Sequence, residues 1–219
     1  MPTASPTLPP KPLAVITCGP AHTPIDWVRR ITNFATGEIG TLLSRALRQA
    51  GWDVICLRGE GSTAPEPEGG EVRTFSTNKS LADLLRALER KPDAIFHAAA
   101  LCDFDVGSLE GACGQKKIRS RDGGLTLRLE PAPKILPCLR DWFPDAFLTG
   151  WKYELDGTRA EALEKGAAQI LECRTDACVV NGAAFGAGFG LLRPDGSLTE
   201  IKDKAALADA LALQPPAAT

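Results

Sequence analysis

The chain has 219 residues, 44% of them apolar, with 25 Lys and Arg against 27 Asp and Glu for a net charge of −2. That length supports one good-sized domain, which buries roughly 70% of its unfolded surface. The near-neutral balance excludes a general electrostatic pull toward nucleic acid or anionic lipid, and no apolar run approaches the ~20 residues of a membrane span.

The first twelve residues carry five prolines and no apolar h-region, so they read as an extended leader rather than a secretory signal. Leu13 to Thr17 is a short, β-prone apolar run, as expected of a buried parallel strand. A loop is predicted over Cys18 to Ala35. Ile39, Leu42, Leu43, Ala46, Leu47 and Ala50 then recur on one helical face, and Gly51 stops the helix. Asp53 to Leu57 is the second strand, followed by a Gly/Pro/acidic loop over Gly59 to Gly70 and a small strand over Val72 to Phe75. Leu81, Leu84, Leu85 and Leu88 mark a second amphipathic helix, and Ala94 to Ala100 a further buried strand.

The second half is predicted to add a strand at Leu125 to Leu129, a short helix at Ile135 to Trp142 and a strand at Ala146 to Trp151. A helix at Arg159 to Cys173 and a strand at Ala177 to Val180 follow. The chain closes with a Pro-Asp-Gly hairpin turn at 194–196 and a helix from Lys204 to Leu213. This order predicts an α/β fold: a Rossmann-like, mostly parallel sheet with flanking helices, plus a small β flap within 101–130. One domain is expected over residues 12–213, with flexible ends at 1–11 and 214–219. Seven cysteines, an odd number without a CxxC pair, read as free thiols in a reducing cytosol. No metal site is expected from the protein side chains, and only two histidines are present.

Thr17 to Gly40 (TCGPAHTPIDWVRRITNFATGEIG) runs from the first strand into a helix whose start carries Gly37 and Gly40. Free N–H groups and the dipole at such a start attract phosphate, and glycine lets it approach. The same glycines would also serve tight helix–strand packing. Neither a Walker A loop nor GxGxxG is present. Asn33 shares the loop with Asp26 and Arg29, and reads equally as a cap or turn residue. Ala98 to Ala100 leave room for a ligand at a strand end, where open α/β sheets bind. Asp103 just beyond would fix a substrate donor or a metal, or simply cap a turn. Lys116-Lys117-Ile118-Arg119-Ser120 reads either as a mobile basic clamp or as a solvated turn. The spaced glycines 186, 188 and 190 read as a turn.

Taken in order, these segments resemble the phosphopantothenoylcysteine synthetases, ligases of coenzyme A biosynthesis. The resemblance rests on the Thr17–Gly40 segment, AAALCDF, KKIRS with LTLRLEPAPKIL, AFLTGWKYELD, CVVN and IKDKAALADAL, from about Pro12 to Leu213. It implies that the carboxylate of 4′-phosphopantothenate attacks the α-phosphate of ATP or CTP held with Mg²⁺. Cysteine then attacks the acyl-nucleotidylate to form an amide. By position it implies catalytic roles for Asn33 and Lys117, and substrate contacts from Ala99, Ala100, Asp103 and, across a homodimer interface, Arg29. Nucleotide contacts fall on Gly19, Gly37, Gly40, Trp151 and Asn181. It further implies a stand-alone synthetase of the cytoplasm, without the flavin-dependent decarboxylase often fused to it. Small-molecule substrates are the expected partners, with no nucleic acid and no membrane.

Three positions depart from the family pattern. Gly19-Pro20 replaces Gly-Gly, Ala35 removes a hydroxyl, and Ala132-Pro133-Lys134 replaces Asn-Pro-Asp. They leave open a nucleotide-binding relative with impaired catalysis. A Rossmann-type NAD(P)-dependent oxidoreductase is the other alternative, with Arg58 as a possible 2′-phosphate contact. The missing GxGxxG and the lack of a Tyr-x-x-x-Lys pair weigh against it.

Overall fold

A computed structural model of the chain describes residues 10–110, 116–119 and 124–214. The expected leader up to Pro9, the end beyond Gln214, and Ser120 of the basic loop lie outside the described residues. Gln214 itself, expected in a loose end, is 9% exposed, and its side chain donates to the Ala210 carbonyl at 2.7 Å.

The core is an eight-stranded sheet with helices on both faces. Its strands, in chain order, are β1 (Leu13–Cys18), β4 (Asp53–Gly59), β5 (Glu71–Phe75), β6 (Ala94–His97), β9 (Phe147–Tyr153), β10 (Ala177–Asn181), β11 (Phe189–Leu192) and β12 (Leu198–Ile201). The spatial order is β12-β11-β10-β9-β6-β1-β4-β5. Strands β5 to β10 in that array pair in parallel, and β11 and β12 extend it antiparallel. The expected Rossmann-like, mostly parallel sheet is therefore present. Every residue of β1 is buried, because a central parallel strand is covered on both faces.

Alternate residues divide the core. Ala14 and Ile16 face α1 (Glu38–Gln49) and α5 (Lys204–Ala212), through Leu43, Leu47, Leu207 and Leu211. Leu13 and Val15 face α2 (Asn78–Arg86) and α3 (Leu136–Trp142), through Leu81, Leu85 and Leu139. On that second face α4 (Arg159–Cys173) buries Ala162 and Ile170 against Cys178 and Val180 of β10.

Two small antiparallel pairs stand outside this sheet. β7 (Phe104–Glu110) and β8 (Thr126–Pro131) form the expected flap. β2 (His22–Pro24) and β3 (Arg30–Thr32) occupy the segment predicted as loop, which corrects that expectation. β3 is fully exposed and so short that no apolar alternation announces it. A second correction concerns the strand predicted to reach Ala100, which ends at His97. Beyond it the neighbouring chain turns at Gly19, at φ 77°, and a single bridge between Pro20 and Ala100 replaces the ladder.

Candidate active site

In this sheet β1 lies between β4 and β6: the chain runs outward from β1 to β4 and β5 and then crosses back to β6 on the other side of β1, a reversal that opens a crevice at its carboxyl end. Gly19, Ala99 and Ala100 meet there. The Ala98 and Ala100 N–H groups donate to the carbonyls of Thr17 and Gly19 at 2.9 Å each, and Ala21 N–H returns to Ala100 O at 3.0 Å. Asn33, in the loop after β3, reaches across the crevice mouth. Its Nδ2 donates to the Leu101 carbonyl at 2.8 Å while its side chain stays exposed.

The same segment is gripped from below by a residue that the sequence did not single out. Asn78, the first residue of α2, is 7% exposed. Its Oδ1 accepts from Cys102 N–H at 3.1 Å, and its Nδ2 donates to Cys102 O at 2.8 Å. Asn33 and Asn78 thus hold consecutive peptides just before Asp103. Asp103 is exposed and ion-paired with Lys134, the lysine of the departing Ala-Pro-Lys triplet.

Helix α1 starts beside the crevice. Its cap, Gly37, has φ 78° and no side chain of its own, and the Thr36 hydroxyl just before it accepts from the Glu38 N–H at 3.3 Å. A Cβ at Gly37 would lie 2.7 Å from Ser62 Oγ and 3.0 Å from Arg58 Nη1, and one at Gly40 would strike Cys18 Sγ. Both glycines are buried and are therefore required by close packing.

A cavity of about 490 Å³ adjoins the carboxyl ends of β6 and β9, lined by His97, Ala99, Leu101, Lys134, Trp151 and Gln169 among others. It joins Trp151 to the alanine segment. His97 Nδ1 shares a 2.8 Å hydrogen bond with Thr17 Oγ1, and burial pushes the imidazole down to about 4, so it is neutral at pH 7. Next to the cavity, Glu154 accepts from Lys165 at 2.5 Å and pairs with Lys152 at 3.3 Å. The Lys165 hydrogen bond first, and then Lys152, hold its carboxyl below the usual range against the opposing effect of desolvation.

Arg29 and Lys117 belong to a separate arm. Arg29 is turned onto its own chain, pairing with Asp26 at 2.6 Å and donating to the Ile118 carbonyl at 3.2 Å. The Asp26 side chain also accepts from the N–H groups of Val28, Arg29 and Ile118. Desolvation pushes that carboxyl up, but these three donors and the Arg29 charge outweigh it and lower it. Lys117 is exposed within the segment so docked. Asn181 ends β10, with its Oδ1 buried and without a partner among the described residues.

The family described as DNA/pantothenate metabolism flavoprotein C-terminal domain matches residues 12–211. The chain belongs to this family. The ordered motifs of the sequence resembled this domain. Similar relatives include the coenzyme A biosynthesis bifunctional protein CoaBC of Bacillus subtilis (strain 168), 34% identical over 180 residues, which are 80% of this chain and 42% of that protein. The protein of the same name from Thermococcus kodakarensis is 31% identical, covering 76% of this chain and 40% of its own length. The chain thus spans about two fifths of the length of these relatives. A solved DNA/pantothenate metabolism flavoprotein from Streptococcus pneumoniae shares the fold at TM-score 0.78 and 22% identity, over 90% of this chain and 95% of that one. A Cab2 H337A structure in complex with phosphopantothenate-cysteine aligns at TM-score 0.71 and 20% identity, over 91% and 83%. Among the described residues of this family member, no helix is long and apolar enough to cross a membrane, and no trio of His, Cys, Asp or Glu gathers to hold a metal ion.

Proposed function

We propose that this chain is a phosphopantothenate–cysteine ligase that uses ATP or CTP. The observation that carries this is the pair of amide clamps, Asn33 and Asn78, on the peptides leading from Ala100 to Asp103 at the crevice, in a chain of this family. The carboxylate of 4′-phosphopantothenate attacks the α-phosphate of the nucleotide and pyrophosphate leaves. The amine of L-cysteine then attacks the acyl carbon, forming the amide and releasing the nucleoside monophosphate. Such chemistry depends on positioning and charge neutralisation more than on a strong nucleophile.

In this reading the start of α1, with Gly19, Gly37 and Gly40, receives the phosphate chain. Trp151 flanks the base in the 490 Å³ cavity, and Asn181 completes the nucleotide side. Ala99 and Ala100 leave space for the pantothenate arm. Asp103 receives one of its donors by exchanging its pairing with Lys134, and Asn33 orients the acyl group for the amine. Lys117 neutralises charge at the α-phosphate. With no cluster of protein ligands among the described residues, Mg²⁺ would be carried largely by the phosphate oxygens, where it screens their charge.

A homodimer also belongs to this reading. Trp27, Val28 and Phe34 are 80%, 62% and 112% exposed on one arm, an apolar surface suited to a second copy. Exchanging its Asp26 contact would free Arg29 to reach the partner's substrate. In this reading the reaction takes place in the cytoplasm, on small-molecule substrates, with no nucleic-acid or membrane partner. The test is pyrophosphate release by purified protein with Mg²⁺. Release that needs 4′-phosphopantothenate and either nucleotide, with amide appearing only when cysteine is added, supports the proposal. No release with either nucleotide ends it. Thermal-shift ranking of ATP against CTP then selects the nucleotide.

A further inference from the structure

One buried charge has no role in the account above. Arg58, near the end of β4, is 8% exposed, and its Nη2 donates to the Ala64 carbonyl. Its Nη1 has no hydrogen-bond partner among the described residues, and no carboxylate there lies within 4.0 Å of the guanidinium. Taking a full charge out of water without a counter-charge is costly, so the position calls for an anion.

Nη1 is aimed at the start of α1, 3.0 Å from where a side chain on Gly37 would begin. Beside it Ser62 Oγ, also buried and unpartnered, lies 2.7 Å from the same point and against Gly19. The hydroxyl is held there by its own loop, because the Thr36 carbonyl just before the cap accepts from the N–H groups of Thr63 and Ala64 at 3.1 and 3.0 Å. Two glycines, a guanidinium and a hydroxyl therefore converge on one helix N-terminus, whose dipole has the same sign of attraction for anions. The residue after Gly19 is Pro20, which has no N–H to donate, so the turn after β1 offers one backbone donor fewer. Arg58 supplies positive charge at the same place.

We propose that Arg58 and Ser62 form the inner wall of an anion subsite at the start of α1, which takes the terminal phosphates of the nucleotide and holds the departing pyrophosphate. The identity of the anion rests on the ligase reading; the subsite itself is testable without it. In the complex the Ser62 hydroxyl turns onto the phosphate, and Nη1 gains a charge-assisted bond.

Calorimetric titration of the full chain with inorganic pyrophosphate as the only ligand tests this. Wild type binds, Arg58→Gln binds roughly 10- to 100-fold more weakly, Arg58→Lys recovers part of the loss, and Ser62→Ala loses a few-fold. Thermal unfolding gives a second readout. Arg58→Met, which removes an uncompensated charge, keeps or raises Tm without ligand and loses the upward shift that pyrophosphate gives to wild type. A purely structural arginine would lower Tm on substitution and leave that shift intact. Absence of pyrophosphate binding by wild type, or equal binding by Arg58→Gln, overturns the subsite. Arg58-dependent binding in a protein without ligase activity would overturn the ligase reading and keep the subsite.

Discussion

The Asp26 carboxylate accepts from the Ile118 backbone N–H at 3.1 Å, joining segments 92 residues apart. With Arg29 donating to the Ile118 carbonyl, both backbone polar groups of one residue are held by the arm that follows β2. Lys116 is stacked on Trp27, its Nζ 4.8 Å from the ring centre. Asp26→Ala removes the acceptor for three N–H groups and should free this segment. Tryptic cleavage at Lys116, Lys117 and Arg119 is expected to speed up roughly tenfold or more, since charge-assisted bonds set the opening cost. Unchanged cleavage would show that Asp26 does not hold the segment.

Asn33 is exposed, so its removal should leave stability within about 0.5 kcal/mol of wild type. Its effect should fall on the second half-reaction. Asn33→Ala is expected to release pyrophosphate while amide formation drops by about two orders of magnitude, as for a misplaced reacting group. Quenched-flow detection of accumulated acyl-nucleotidylate is the check. Equal loss of both half-reactions would refute the assignment.

Asn78 differs because it is buried and satisfies both groups of Cys102. Asn78→Ala leaves an N–H and a carbonyl without partners and should cost about 1–3 kcal/mol in urea unfolding. The KM for phosphopantothenate should rise as well, because Asp103 follows the released peptide. A stability loss with KM unchanged would confine Asn78 to the fold.

His97 makes stability depend on pH. Burial lowers the folded imidazole from 6.5 to about 4, so between these values the unfolded chain binds more protons. Its contribution is complete above about pH 6.5 and is lost as pH falls toward about 4, up to about 3 kcal/mol. His97→Gln should flatten that part of the stability profile. An unchanged slope in the variant would assign the dependence to other groups.

Gly40→Ala tests the packing under the helix start. The added methyl would collide with Cys18 Sγ and lie 2.6 Å from Cys18 Cβ. Overpacking of this kind costs about 1–3 kcal/mol. A chemical-denaturation midpoint equal to wild type would mean that α1 is free to move off β1.

Elements with a strong local period were legible. The stripe from Ile39 to Ala50 became α1, Arg159 to Cys173 became α4, and Pro-Asp-Gly at 194–196 joined β11 to β12. Each carries its own signal in burial spacing, caps or turn chemistry; α4, for example, begins with a Thr158/Glu161 capping box. β2, β3 and β7 were not legible: β2 and β3 are three residues each, and all three strands pair outside the main sheet with a partner that their own sequence does not announce. Asn78 lies just before the leucine stripe of the second helix and carried no signal of its own, and nothing near Ser62 announced that its hydroxyl would meet two glycines.

By itself, then, the sequence determined the α/β class, the order of the main helices and strands, and the family to which the chain belongs, since periodicity and ordered motifs are local properties. Only the tertiary structure decided which side chains converge. It put Asn78 under Cys102, tied Asp26 to Ile118, and aimed the uncompensated charge of Arg58 at Gly37. Those pairings join residues between 21 and 92 positions apart in the chain. They arise when the sheet closes and buried polar groups must find partners, a demand that no single segment expresses alone.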